Sequence, residues 1–172
     1  DENGIVIEAL KKVLASLKTP PKFLYITPNF HNPAGIIYTP ERRKALLATL
    51  AGTGIILLED DAYGDLFFEE KDKDFTLPLK AYQGYDVDII YTGSFSKILG
   101  PGFRLGYMLS SPEIYDKAES IKQALDACTS NFMQILADSF IKQGVTFFFL
   151  ALRALLHNAY LFYVSFHQTF VS

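Results

Sequence analysis

The chain has 172 residues, 49% of them hydrophobic, enough for one domain with its own core. A net charge of −3 gives no electrostatic reason to expect nucleic acid or an anionic membrane as a partner. The single cysteine, Cys128, excludes an internal disulfide or a cysteine metal cluster, suits a reducing compartment, and reads as a small buried hydrophobe.

Asp1-Glu2-Asn3-Gly4, without an initiator Met or a cleavable signal, reads as a turn between elements of something longer. Apolar residues at Ile5, Ala9, Leu10, Val13, Leu14 and Leu17 predict a helix, ended by Thr19-Pro20-Pro21. Phe23 to Ile26 reads as a short buried strand, and the following Pro28 to Gly35 as a loop. His31 in that loop is expected to face solvent. Thr39-Pro40-Glu41 starts a helix: a capping hydroxyl, Pro at the first helical position, an acid in the first turn. It should run to about Ala51, with Leu46, Leu47 and Leu50 inward and Arg42, Arg43 and Lys44 mostly outward. Gly52-Thr53-Gly54 closes it. This Gly-x-Gly precedes a strand instead of following one, which favours a helix cap over a nucleotide loop.

Ile55 to Leu58 is the next predicted strand, with Glu59-Asp60-Asp61-Ala62-Tyr63-Gly64 at its end. Glu69 to Lys80 mixes charges with apolar residues and reads as a surface excursion. Val87 to Tyr91 is a third strand, running into Gly93-Ser94-Phe95-Ser96-Lys97 and then Gly100-Pro101-Gly102-Phe103-Arg104. Leu105 to Leu109 is a fourth. Ser111-Pro112-Glu113 starts a helix patterned to about Leu125, with a further helix from Phe132 to Ile141. From Val145 onward the chain has one Arg, two His and no acid. Arg153, His157 and Asn158 interrupt every window of membrane-span length, which favours a long helix with a partner on its apolar face.

This order describes an α/β layered sheet, and all three polar clusters fall where a strand stops, the place where such sheets collect ligands. The clusters offer an amine, a carboxylate, a phenol with a carboxamide, and hydroxyls with a guanidinium. A lysine amine can hold an aldehyde as an imine, an acid can stabilise a protonated ring nitrogen, and serine with arginine can hold a phosphate. Pyridoxal 5'-phosphate requires all of these. No metal-ligand spacing occurs.

In these motifs the chain resembles the fold-type I pyridoxal-phosphate enzymes, specifically the class I/II aminotransferases. Asn32-Pro33-Ala34-Gly35 is similar to their Asn-Pro-x-Gly loop, Asp60 to Tyr63 to their Asp-x-x-Tyr segment, and Ser94 to Arg104 to their lysine loop. The wording is most similar to the branch holding 2-aminoadipate and aromatic aminotransferases and the related domain of MocR-type regulators. The resemblance implies a three-layer α/β/α sandwich with a mostly parallel sheet. Residues 1–143 would form part of the cofactor-binding large domain, and 144–172 a helical segment leading toward a small domain.

Carried onto this sequence, the resemblance implies Lys97 as the Schiff-base lysine and proton shuttle, and Asp60 as partner of the ring nitrogen. Tyr63 and Asn32 would bond the ring oxygen, and Ser94 and Arg104 the phosphate. Ser96 is either a phosphate helper or a loop hydroxyl bonding backbone, and Asp61 reads as a capping or surface acid. A cis Asn32–Pro33 peptide is also implied. The expected activity is amino-group transfer between an amino acid and a 2-oxo acid, in a cytoplasmic homodimer without membrane or nucleic-acid partners. The alternatives are the effector domain of a MocR-type transcription regulator, or decarboxylation or β-elimination on the same scaffold.

Overall fold

The computed structural model describes residues 1–67, 75–126 and 128–144. Three strands, β1 (Phe23–Ile26), β2 (Ile56–Asp61) and β3 (Ile89–Ser94), lie side by side and parallel. A fourth, β4 (Gly106–Leu109), adds to β3 antiparallel, giving the order β1-β2-β3-β4. The architecture is α/β with a mostly parallel sheet, as expected. A parallel neighbour requires a crossover, and α2 (Pro40–Leu50) supplies the one between β1 and β2.

Alternation along β2 separates two faces. Leu57, Glu59 and Asp61 are buried, whereas Ile56, Leu58 and Asp60 are half-buried. The buried face packs in one cluster with Leu10 of α1 (Ile7–Ser16) and Leu46, Leu47 and Leu50 of α2, together with Ile26 and Ile89. Burying each such leucine contributes roughly 1.5–3 kcal/mol. α2 starts as its sequence predicts, with the Thr39 side chain accepting from the Arg42 amide at 3.2 Å and Pro40 in the first turn.

Arg43 departs from its outward expectation. It is fully buried, and its guanidinium donates to the carbonyls of Tyr38 (3.0 Å), Leu77 (3.2 Å), Pro28 (3.2 Å) and Phe75 (2.7 Å) and to Asn29 Oδ1 (2.6 Å). Burial lowers its pKa. The planar fork of five donors satisfies several carbonyls that no other side chain could gather at once. It thereby ties the loop after β1 to the segment before the short 3-10 turn Leu79–Ala81. Phe75 and Leu77 there are exposed, as a surface excursion should be, while Thr76 and then Leu79 of the turn are buried and anchor it to the core. Residues 68–74 of the excursion lie outside the described residues.

α3 (Pro112–Asp126) buries none of its residues and α4 (Asn131–Lys142) buries Ala137. Cys128, expected to be buried, is exposed, because it falls in the short link between these two helices and not on an inward face. The apolar tail from residue 145, where a long helix was weighed against a membrane span, lies outside the described residues. No helix among the described residues is long and apolar enough to cross a membrane.

Candidate active site

Because β1, β2 and β3 are parallel, their C-terminal ends open at one edge of the sheet, where the three predicted clusters follow in turn. The loop after β1 is folded back on itself by the bonds His31 N to Ile36 O (2.9 Å), Gly35 N to His31 O (2.6 Å) and Tyr38 N to Pro28 O (2.9 Å). Its Asn32–Pro33 peptide is cis. At the tip Asn32 is exposed, and its Nδ2 donates to the Tyr63 hydroxyl at 3.4 Å. His31, expected to face solvent, is half-buried, with its Nδ1 shielded by the folded-back loop.

The next cluster closes β2. Asp60 and Asp61 are adjacent, so the pleat sends them to opposite faces. Asp60 is half-buried on the more open face, where Oδ2 accepts from the Tyr25 hydroxyl at 2.7 Å. Asp61, expected at a cap or on the surface, is instead buried. It accepts from Asn29 Nδ2 (2.9 Å), the Gly64 amide (2.9 Å) and the Tyr91 hydroxyl (3.0 Å). Burial pushes the Asp61 carboxyl up, against the pull of its three donors. Burial likewise raises the Tyr91 phenol, with Asp61 the next contributor. A Cβ on Gly64 would stand 2.4 Å from Asp61 Oδ1, so the turn that aims Tyr63 requires glycine there.

The lysine loop spans β3 and β4. Its ends are joined by Phe95 N to Leu105 O (3.1 Å), and Phe95 O accepts from the Leu99 amide (2.8 Å). Lys97 Nζ reaches 5.5 Å from the centre of the Tyr63 ring, within cation–π range. Ser94 Oγ accepts from the Ser96 amide at 3.2 Å. Arg104, on the other arm, is exposed and holds a left-handed backbone with φ 52°. It makes no hydrogen bond to either serine among the described residues. Asn32 and Lys97 thus each approach Tyr63, Asp60 stands two strand positions from Leu58 on the open face, and Ser94 and Ser96 share one turn.

Sequence reasoning missed Tyr25, Asn29, Arg43 and Asp61. The first two were readable only as strand and loop, since nothing local marks which acid each will meet. The chemistry of the assembled set is an amine beside a phenol, a carboxamide on that phenol, an acid held by a second phenol, and a hydroxyl-rich turn.

Residues 1–146 match the family model described as aminotransferase class I and II. The chain is 35% identical over 149 residues to an aromatic-amino-acid aminotransferase of Thermococcus litoralis, covering 84% of this chain and 34% of that protein. It is 37% identical over 123 residues to an HTH-type transcriptional regulator of Bacillus subtilis, covering 72% and 25%. Among solved structures it is similar to the α-aminoadipate aminotransferase of Thermus thermophilus complexed with N-(5'-phosphopyridoxyl)-L-leucine. That match has a TM-score of 0.73 and 33% identity and covers 90% of this chain and 38% of that one. The chain thus spans about a third of the length of the aminotransferase relatives it matches.

Proposed function

The chain belongs to aminotransferase class I and II, and from that premise we propose that the whole protein transfers an amino group between an amino acid and a 2-oxo acid, using pyridoxal 5'-phosphate. The observation that carries this reading is the meeting of Asn32, Tyr63 and Lys97: a 3.4 Å amide–phenol bond with the lysine amine 5.5 Å from the same ring. The donor set fits the cofactor, since each of its polar parts has a chemically matched side chain at this edge of the sheet.

When bound, the cofactor's protonated ring draws off the electron pair left as a substrate Cα proton departs. The residues of the chain do the rest. Lys97 Nζ would hold the cofactor at its aldehyde carbon and, once a substrate amine has displaced it, would be the base that takes and returns the Cα proton. Asp60 would keep the ring nitrogen charged. Tyr63 and Asn32 would hydrogen-bond the ring oxygen. Ser94, Ser96 and Arg104 would hold the phosphate. In this reading residues 1–143 are part of a three-layer large domain, 144–172 lead toward a smaller domain, and the protein works as a cytoplasmic homodimer.

The test uses the full-length protein. Cofactor-dependent absorbance and turnover on a panel of amino acids are expected for the wild type, and both should vanish in Lys97→Ala. Turnover retained by that variant would remove Lys97 from its role. The likeness to a transcriptional regulator supports a second reading, a cofactor-binding effector domain. Cofactor binding without amino-group transfer, together with a DNA-binding segment elsewhere in the full-length chain, would favour it.

A further inference from the structure

Tyr25 belongs to none of the motifs above, yet it touches one of their residues directly. It pairs with Leu58 across the β1–β2 register and therefore shares a face with Asp60, two positions further along β2. Such a diagonal pair is within reach of a long aromatic side chain. The Tyr25 hydroxyl donates to Asp60 Oδ2 at 2.7 Å, well within O–H···O hydrogen-bond range.

We infer that Tyr25 is a positioning residue for the Asp60 carboxylate: by occupying Oδ2 it fixes the carboxyl plane and presents Oδ1 to the ring nitrogen of the cofactor. The inference rests on the function proposed above. A carboxylate on a strand end can rotate about two side-chain torsions, and one bonded oxygen removes most of that freedom. The phenol's pKa is raised chiefly by its bond to Asp60. Tyr25 is 52% exposed and is absent from the core cluster, so the hydroxyl is not there to satisfy packing.

The experiment is a double-mutant cycle in the full-length protein, with pyridoxal 5'-phosphate titrated into cofactor-free protein. Tyr25→Phe should weaken binding about fivefold, corresponding to about 1 kcal/mol. Combined with Asp60→Asn, the same change should have no further effect, because the two residues act as one unit. A second readout needs no cofactor: the ¹³C resonance of the Tyr25 ring carbon bearing the hydroxyl should move on Asp60→Asn. An equal loss from Tyr25→Phe in both backgrounds, or an unmoved resonance, would overturn the inference. Failure of the wild type to bind the cofactor at all would instead overturn the proposed function, while the resonance would still report on the pair.

Discussion

Asn29 Nδ2 lies 2.9 Å from Asp61 Oδ1, a buried bond that joins the loop after β1 to the end of β2. With Arg43 on Asn29 Oδ1 and Tyr91 on Asp61 Oδ2, it forms a continuous polar chain beneath the site edge. Asn32 stands three residues beyond Asn29, and Tyr63 two beyond Asp61. The two segments that carry those candidate residues are therefore tied together by buried side chains close to them in the chain.

Removing Asp61 takes a shared acceptor from the Gly64 amide, the Tyr91 hydroxyl and Asn29 Nδ2, which keeps only its bond to the Thr76 carbonyl (3.1 Å). Asp61→Ala should cost about 3–5 kcal/mol in urea unfolding of the full-length protein. Asp60→Ala, one residue away on the half-open face, should cost about 1 kcal/mol or less. Similar losses for the two variants would contradict the difference in burial between Asp60 and Asp61.

Glu59 gives stability a pH dependence. It is fully buried, and burial pushes its carboxyl up to about 7 despite bonds from the Leu79 (2.8 Å) and Lys80 (3.2 Å) amides. A folded-state pKa above the unfolded value means the folded protein takes up this proton first. Its contribution therefore favours folding below the ordinary carboxylate range and is lost as pH rises toward 7. Asp61, also raised, adds to the same slope. Urea midpoints measured between pH 4.5 and 7.5 should fall across that window, and the fall should be shallower in Glu59→Gln.

Gly93 tests the link between β3 and β4. A Cβ there would lie 2.2 Å from the Tyr107 ring, which is itself packed against Phe95 (5.4 Å between centres) and Tyr91 (6.0 Å). Gly93→Ala should destabilise by about 1–3 kcal/mol through overpacking. Adding Tyr107→Val should recover part of the loss in thermal unfolding, and no recovery would place the strain elsewhere.

Asn32→Ala removes the donor to Tyr63 at an exposed loop tip. Cofactor affinity of the full-length protein should drop about three- to tenfold, with the unfolding midpoint unchanged. A shifted midpoint with unchanged affinity would make Asn32 a loop brace and not a cofactor ligand.

Much of this was legible in the residues. The strand at Phe23 to Ile26 and the Thr39-Pro40 helix start needed only local chemistry, as did the lysine loop after an apolar strand; β1 is nevertheless not the buried strand expected, since Phe23 and Tyr25 are exposed at the outer position of the sheet. Strand ends shifted: β2 continues through Asp61 and β3 through Ser94, because sheet pairing holds polar residues that propensity alone would release. Arg43 was misplaced because charge in a helical pattern normally faces water, and its five acceptors come from segments up to 34 residues away. Asp61 was misread for the same reason, its donors Asn29 and Tyr91 being 32 and 30 residues distant. Long-range hydrogen bonds leave no local mark.

The antiparallel return of β4 has an outcome for how this protein can vary. Lys97 rides on a closed connection fastened at both feet, from Phe95 to Leu105. Within a pleated pair, adding or deleting one residue turns every later side chain to the opposite side. Length changes within β3 or β4 would carry Tyr107 off Gly93 and shift the footing of the loop that carries Lys97. Tolerated insertions should instead gather at Gly52 to Gly54, where the backbone after α2 stands in open space.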